Sequence, residues 1–276
     1  MKITVSTLCR AKTEGRKFSV VSCYDFTSAK LAVSAGVDVL LVGDSAAQFM
    51  LGFDSTLPAT MDFMVAITAA VNRAGFEKLI IADLPYESCA AGAEKMVRDS
   101  RRFIEEAGAD VVKIEASMER FDELKFIIDA GIPVMPHLGI RPQTGEYKAQ
   151  GTTAQIAAEL IGFAERVYNA GAQMLLLEGT AREVGKIITQ KLPIPIISCG
   201  AGPDCDGQVL VLPDILNLKD GAMPKFSKSF ADIGKASIDA IAEYDRQIKQ
   251  NVFPDDLHSY HMKPGEMEKL LELIGL

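Results

Sequence analysis

Short apolar runs recur along this chain, and five of them hand over directly to a polar, chemically capable residue. VDVLLVG leads to Asp44, LIIA to Asp83, VVKI to Glu115, PVMP to His137 and MLLL to Glu178. Runs of that length, rich in branched side chains and bounded by turn signals, read as buried strands of a parallel sheet. Three more complete a set of eight: FSVVSCY at 18–24, PIPIIS at 193–198 and GQVLVL at 207–212. The stretches between them are amphipathic. In TAQIAAELIGFAERVYNA, Ile156, Leu160, Phe163 and Val167 repeat at helical spacing behind Thr153, a predicted N-cap. Beyond residue 229 the period stays helical, first in SFADIGKASIDAIAEYDRQIKQ and then in a shorter helix near the C-terminus.

An internal repeat orders these elements. SAGVDVLLV, EAGADVVKI, DAGIPVMPH and NAGAQMLLL each place an Ala-Gly pair just before an apolar run. Gly36, Gly108, Gly131 and Gly171 are thereby predicted to end helices at the position where a positive φ is needed. Alternating helix and strand at such intervals implies parallel βαβ units. Eight such units predict a closed (β/α)8 TIM barrel, an α/β fold that typically takes about 250 residues. The expectation is one barrel domain over 1–276, with 230–276 as C-terminal helices.

Composition narrows the function. The chain is 48% hydrophobic and 24% charged, enough apolar content for one large core. A net charge of −8 argues against nucleic acid and anionic membrane as partners. No apolar stretch approaches the ~20 residues of a membrane span, and the N-terminal MKITVSTLCRAKTEG lacks a signal-peptide core. Five cysteines, without disulfide or zinc spacing, fit a reduced cytoplasmic protein.

The polar residues at the strand ends carry the chemistry. In a closed barrel they converge on one mouth. Three carboxylates gathered there repel one another unless a cation lies between them, so the pattern predicts a metal-dependent enzyme. Lys113, alternating with Val112 and Ile114, is predicted to point into the barrel, where a charge needs a partner. Each acidic residue also has a plainer role open to it, capping the helix that follows. His137 serves equally well as a satisfied core histidine. Asp204 and Asp206 flank Cys205 in a glycine-rich turn that we expect to be structural and on the catalytic face. His258 and His261 are expected at the surface or at an interface.

Several stretches together carry a resemblance. VGDS (42–45), LGFDSTLP (51–58), ADLP (82–85), VKIE (112–115), IPVMPHLG (132–139), YKAQG (147–151) and above all GAGPDCDGQVLVL (200–212) closely resemble the ketopantoate hydroxymethyltransferase family. That family belongs to the phosphoenolpyruvate mutase/isocitrate lyase superfamily of barrels. The resemblance runs in order from about residue 18 to His258–Tyr260. It implies transfer of a hydroxymethyl unit from 5,10-methylenetetrahydrofolate to the 2-oxo acid 3-methyl-2-oxobutanoate, giving 2-dehydropantoate on the way to pantothenate. It implies Mg²⁺ or a similar divalent cation, with Asp44 and Asp83 as ligands and Glu115 as a ligand or a group acting through water. By the same resemblance Glu178 is the general base, Ser45 and Lys113 bind the substrate carboxylate, and His137 is a nearby polar contact. A homo-oligomer, in the family a decamer, is implied as well.

The departures from the family pattern surround these residues. Ala46-Ala47-Gln48 stands where glycine and leucine usually follow GDS, and Ala116-Ser117 replaces two glycines after VKIE. Only Thr144-Gly145-Glu146 separates PQ from YKAQG, a shortened loop, and Arg141 precedes it where a small or hydroxyl residue is usual. Ser198-Cys199 and Gly179-Thr180 are further changes. Besides the family reaction, two other readings stay open: a divergent metal-enolate enzyme acting on another 2-oxo acid, and a non-catalytic paralogue that binds or assembles.

Overall fold

The apolar runs become β1 (Phe18–Ser22), β2 (Val39–Val42), β3 (Leu79–Asp83), β4 (Val111–Glu115), β5 (Val134–Gly139), β6 (Leu175–Glu178), β7 (Ile196–Cys199) and β8 (Gly207–Val211). Each pairs in parallel with the next, and β8 closes on β1, making the predicted eight-stranded barrel. The computed structural model describes residues 2–145, 147–219 and 221–276. Two compact units emerge: 1–215 with 221–229, which holds the barrel, and 216–220 with 230–276.

Helices form where caps and periodicity coincide. Asp25 accepts a hydrogen bond from Ser28 N to start Phe26–Ser34, and Thr60 does the same for Phe63 N at the head of Met61–Gly75. Such caps are each worth about 1 kcal/mol. Thr153 caps Ala154–Asn169 as the sequence predicts, through Ile156 N. That helix buries Phe163, Ala164 and Val167, but Ile156 is exposed, so its first turns stand clear of the sheet. The four repeat glycines, Gly36, Gly108, Gly131 and Gly171, all have positive φ.

The base of the barrel is plugged from the N-terminal side. Leu8, on the helix Val5–Thr13, joins the core cluster formed by Phe18, Val20, Leu41, Ile81, Val111 and Met135. From the same helix Lys12 Nζ reaches Asp206 Oδ2 at 2.7 Å and the Thr189 carbonyl at 2.8 Å. Asp206 Oδ2 also accepts from Ile196 N, at the start of β7.

Asp206 therefore belongs to the base, which corrects the placing of its whole turn on the catalytic face. No crossover helix links β7 to β8. Gly200–Asp206 instead descends directly from the mouth to the base. Gly185, in the helix Arg182–Lys191, packs so closely that an added Cβ would meet Ala201 O at 2.6 Å. Ser19 and Gln208, paired across β1 and β8, are exposed, as outward positions on an uncovered wall must be.

The second unit contains the helices Ile233–Lys249 and Glu266–Ile274, neither with a buried residue. Asp232 caps the first of them through Lys235 N and accepts from Asn217 Nδ2. His258 and His261 are exposed and pair with Asp255 and Asp256, the surface role expected of them.

Candidate active site

Alternation along the strands builds the site. Val20, Leu41, Ile81, Val111, Met135, Leu176 and Ile197 form one buried cluster. Two residues further along each strand the same face continues. It presents Ser22, Gly43, Asp83, Lys113, His137, Glu178 and Cys199, with Glu115 one step above Lys113. The lower barrel is thus hydrocarbon and its top layer polar. Register brings neighbours level: Asp83 with Lys113, Glu115 with His137, and Glu178 between Gly139 and Cys199.

The acidic half of the mouth is organised around Lys113. Its ammonium donates to Asp83 Oδ2 at 2.5 Å, and the Asp44 backbone N–H donates to the same oxygen at 3.3 Å. Burial opposes the lysine's charge, but Asp83, Asp44 and Glu115 outweigh it and raise its pKa, so it stays protonated. The chain therefore supplies one cation of its own among the carboxylates. Burial pushes the Glu115 carboxyl up to about 7, against the pull of the Gln143 N–H and Lys113.

The opposite half holds His137 and Glu178, whose Nε2 and Oε2 lie 3.3 Å apart. Burial first, and the nearby Lys113 second, lower the histidine's pKa, so the ring is neutral at pH 7. Burial and the adjacent Glu178 raise the Cys199 thiol well above its ordinary value, so it is a neutral neighbour. Backbone geometry fixes Glu178 closely. Gly139 has φ +98°, and a Cβ there would lie 2.0 Å from Glu178 O. Thr180 Oγ1 donates to that same carbonyl at 3.2 Å, which gives one of the departures from the family pattern a local purpose.

Ser45 occupies the N-cap position of the short helix Ala46–Phe49 without capping it. Its hydroxyl turns instead to Tyr24 Oη at 2.9 Å, and Tyr24 stacks on Phe49. All seven sequence-predicted residues thus lie at one mouth, in three groups: Asp44, Asp83, Lys113 and Glu115; His137 and Glu178; and Ser45.

These groups suit a hard divalent cation. Asp83 Oδ1 and Glu115 Oε2 are buried oxygens with no hydrogen-bond partner. Oxygen donors are what Mg²⁺ prefers, and it keeps several waters rather than filling an all-protein cage. Among the described residues, however, no three Asp, Glu, His or Cys side chains form a ready-made ion cluster.

Three participants escaped sequence reasoning. Ser22 and Cys199 could have been found by carrying the inward alternation one step further. Gln143 could not, because it sits in a 3₁₀ turn, Pro142–Thr144, where no periodicity applies. It is nevertheless buried, and hydrogen-bonds to both Asp44 and Glu115. Of the shortened loop that follows, Glu146 lies outside the described residues.

Known proteins resemble the chain along its length. A sequence profile described as ketopantoate hydroxymethyltransferase matches residues 2–256. A 3-methyl-2-oxobutanoate hydroxymethyltransferase of Thermoanaerobacter sp. (strain X514) is 41% identical, over 96% of this chain and 98% of that protein. One from Nitrosopumilus maritimus (strain SCM1) is 40% identical over the whole of both. Among solved structures, 2,3-dimethylmalate lyase, of the PEP mutase/isocitrate lyase superfamily, superposes with a TM-score of 0.60. It is 20% identical and aligns over 99% of this chain and all of the other. Phosphonopyruvate hydrolase in complex with oxalate and Mg²⁺ gives 0.61 at 15% identity, over 99% and 95% of the two chains. At those identities the likeness is one of fold.

Proposed function

The chain belongs to the ketopantoate hydroxymethyltransferase family, and we propose that its barrel mouth enolises 3-methyl-2-oxobutanoate and joins it to a one-carbon unit. The product is 2-dehydropantoate, in pantothenate biosynthesis. The donor is 5,10-methylenetetrahydrofolate, and Mg²⁺ or a similar ion is required. Asp44 and Asp83 would hold the ion, with Glu115 acting directly or through water. When bound, such an ion stabilises the negative charge that develops on a 2-oxo oxygen.

The chain's own groups do the rest. Glu178 removes the C3 proton as general base. His137, neutral and 3.3 Å from the Glu178 carboxylate, stands beside the base without competing for the proton. Lys113 remains charged and, with Ser45, receives the substrate carboxylate. Gly139 and Thr180 fix the strand end that carries the base. The free cysteines support a reducing, cytoplasmic setting. The two 2-oxo acid and folate substrates, and a homo-oligomeric assembly, belong to the same proposal.

One observation carries this reading: a carboxylate and a neutral imidazole face a lysine–aspartate pair across one polar layer on hydrocarbon. The test is proton exchange without folate. Wild-type protein with Mg²⁺ should exchange deuterium into C3 of 3-methyl-2-oxobutanoate, and Glu178→Gln should lose about 10²–10⁴-fold of that rate. Exchange by the variant at the wild-type rate would remove Glu178 from the role. Wild-type exchange into another 2-oxo acid but not this one would replace the substrate.

A further inference from the structure

We propose that Gln143 is a positioning residue that couples the turn after β5 to occupation of the ion site; this rests on Asp44 being a ligand of the ion, with Glu115 acting on it directly or through water. The side-chain amide of Gln143 donates to Asp44 Oδ2 at 2.8 Å and to the Leu84 carbonyl at 3.0 Å. Its backbone N–H donates to Glu115 Oε1 at 2.9 Å. One residue thus takes one oxygen from each of two carboxylates, one just past β2 and one at the end of β4. Glutamine suits this because its amide offers two donors without adding charge among the acids. At 5% exposure it is buried, so both contacts are made away from bulk water.

The rest of the turn is tied to the base. Ile140 N donates to Glu178 O at 2.9 Å, three residues before Gln143. Further along, Gln150 N donates to Gly179 O and Ala181 N donates to Gln150 O. Both ends of the segment are therefore fastened to the end of β6. Gln143 is its attachment to the acidic half. An ion that fixes Asp44 and Glu115 fixes Gln143 with them, and through it the turn. Conversely, loss of the side-chain amide frees the Asp44 carboxylate to rotate and leaves the backbone N–H on Glu115 as the remaining tie. Partners of that kind typically change metal affinity 10–100-fold when removed.

Lys148 is exposed and lies between Gln143 and the Gln150 anchor, so tryptic cleavage at Lys148–Ala149 reports on the turn. The experiment compares wild type, Gln143→Met and Gln143→Asn, the last keeping an amide one carbon too short to reach. Circular dichroism confirms folding, Mn²⁺ titration by electron paramagnetic resonance gives affinity, and mass spectrometry follows cleavage. Mn²⁺ should slow wild-type cleavage at Lys148 about tenfold. In a folded variant it should bind about 10–100-fold more weakly and, even at saturation, slow cleavage at Lys148 clearly less than in wild type, since only the backbone tie to Glu115 is left. Wild-type Mn²⁺ affinity, or undiminished protection of Lys148, in either variant would overturn the proposal. A wild type that binds no Mn²⁺ would overturn the ion assignment itself, and the coupling with it.

Discussion

At the scale of single residues, the acidic mouth is less frustrated than its sequence implies. Three carboxylates alone lead one to expect relief when one is removed. Instead Asp83, fully buried, is the closest partner of Lys113. Asp83→Ala should strand a buried ammonium and cost about 3–5 kcal/mol of unfolding free energy. Lys113→Met added to it should return a large part of that loss, since a hydrophobic pair replaces the ion pair. Urea unfolding of the two variants checks this, and a single variant as stable as wild type would show that the pair is not charged. Asp83, Glu115 and Glu178 were legible because each ends a strand, Asp44 and Ser45 because they closely follow one, and Lys113 and His137 because a polar residue interrupts an apolar run. Gln143 was not, because hydrogen bonding from a turn leaves no trace in a hydrophobic pattern.

Elements were legible in proportion to how completely they are buried. The strands β2 to β5 are buried on both faces and stood out as largely apolar runs, whereas His137 proved to lie inside β5 rather than past its end. The glycine-rich descent from β7 to β8 was misread because its composition looks like any mouth loop. Its far end is a base-side anchor, where Asp206 holds Lys12 and the Ile196 N–H. Asp206→Asn keeps the shape but removes the charge opposite Lys12, and should lower stability by about 3 kcal/mol. The turnover number of the folded variant should stay within about twofold of wild type, because Asp206 lies at the end opposite the mouth. A large fall in turnover at unchanged stability would contradict that separation.

For the whole molecule, the division into two units makes a separable prediction. The barrel's core cluster is drawn entirely from residues before 215. A chain ended after Ser229 should therefore keep cooperative thermal unfolding and its strand signal by circular dichroism. Loss of the cooperative transition would show that the barrel depends on residues 230–276 for its fold. The sequence sets 230–276 apart as C-terminal helices, but one helical pattern after another gives no hint of which residues pack on which. The direct descent after β7 has one more effect. β7 meets β8 only at Ile197–Gly207 and Ser198–Gln208, whereas β8 is paired to β1 along its full length. A closed sheet has no edge, but a short seam lets one reappear each time the barrel breathes. Amides bridging β7 and β8 should exchange with deuterium before those bridging β2 and β3, through a local opening that costs less than global unfolding; equal protection would contradict it. Cys199 ends β7 beside Glu178, so each such opening would loosen the wall on which the base stands.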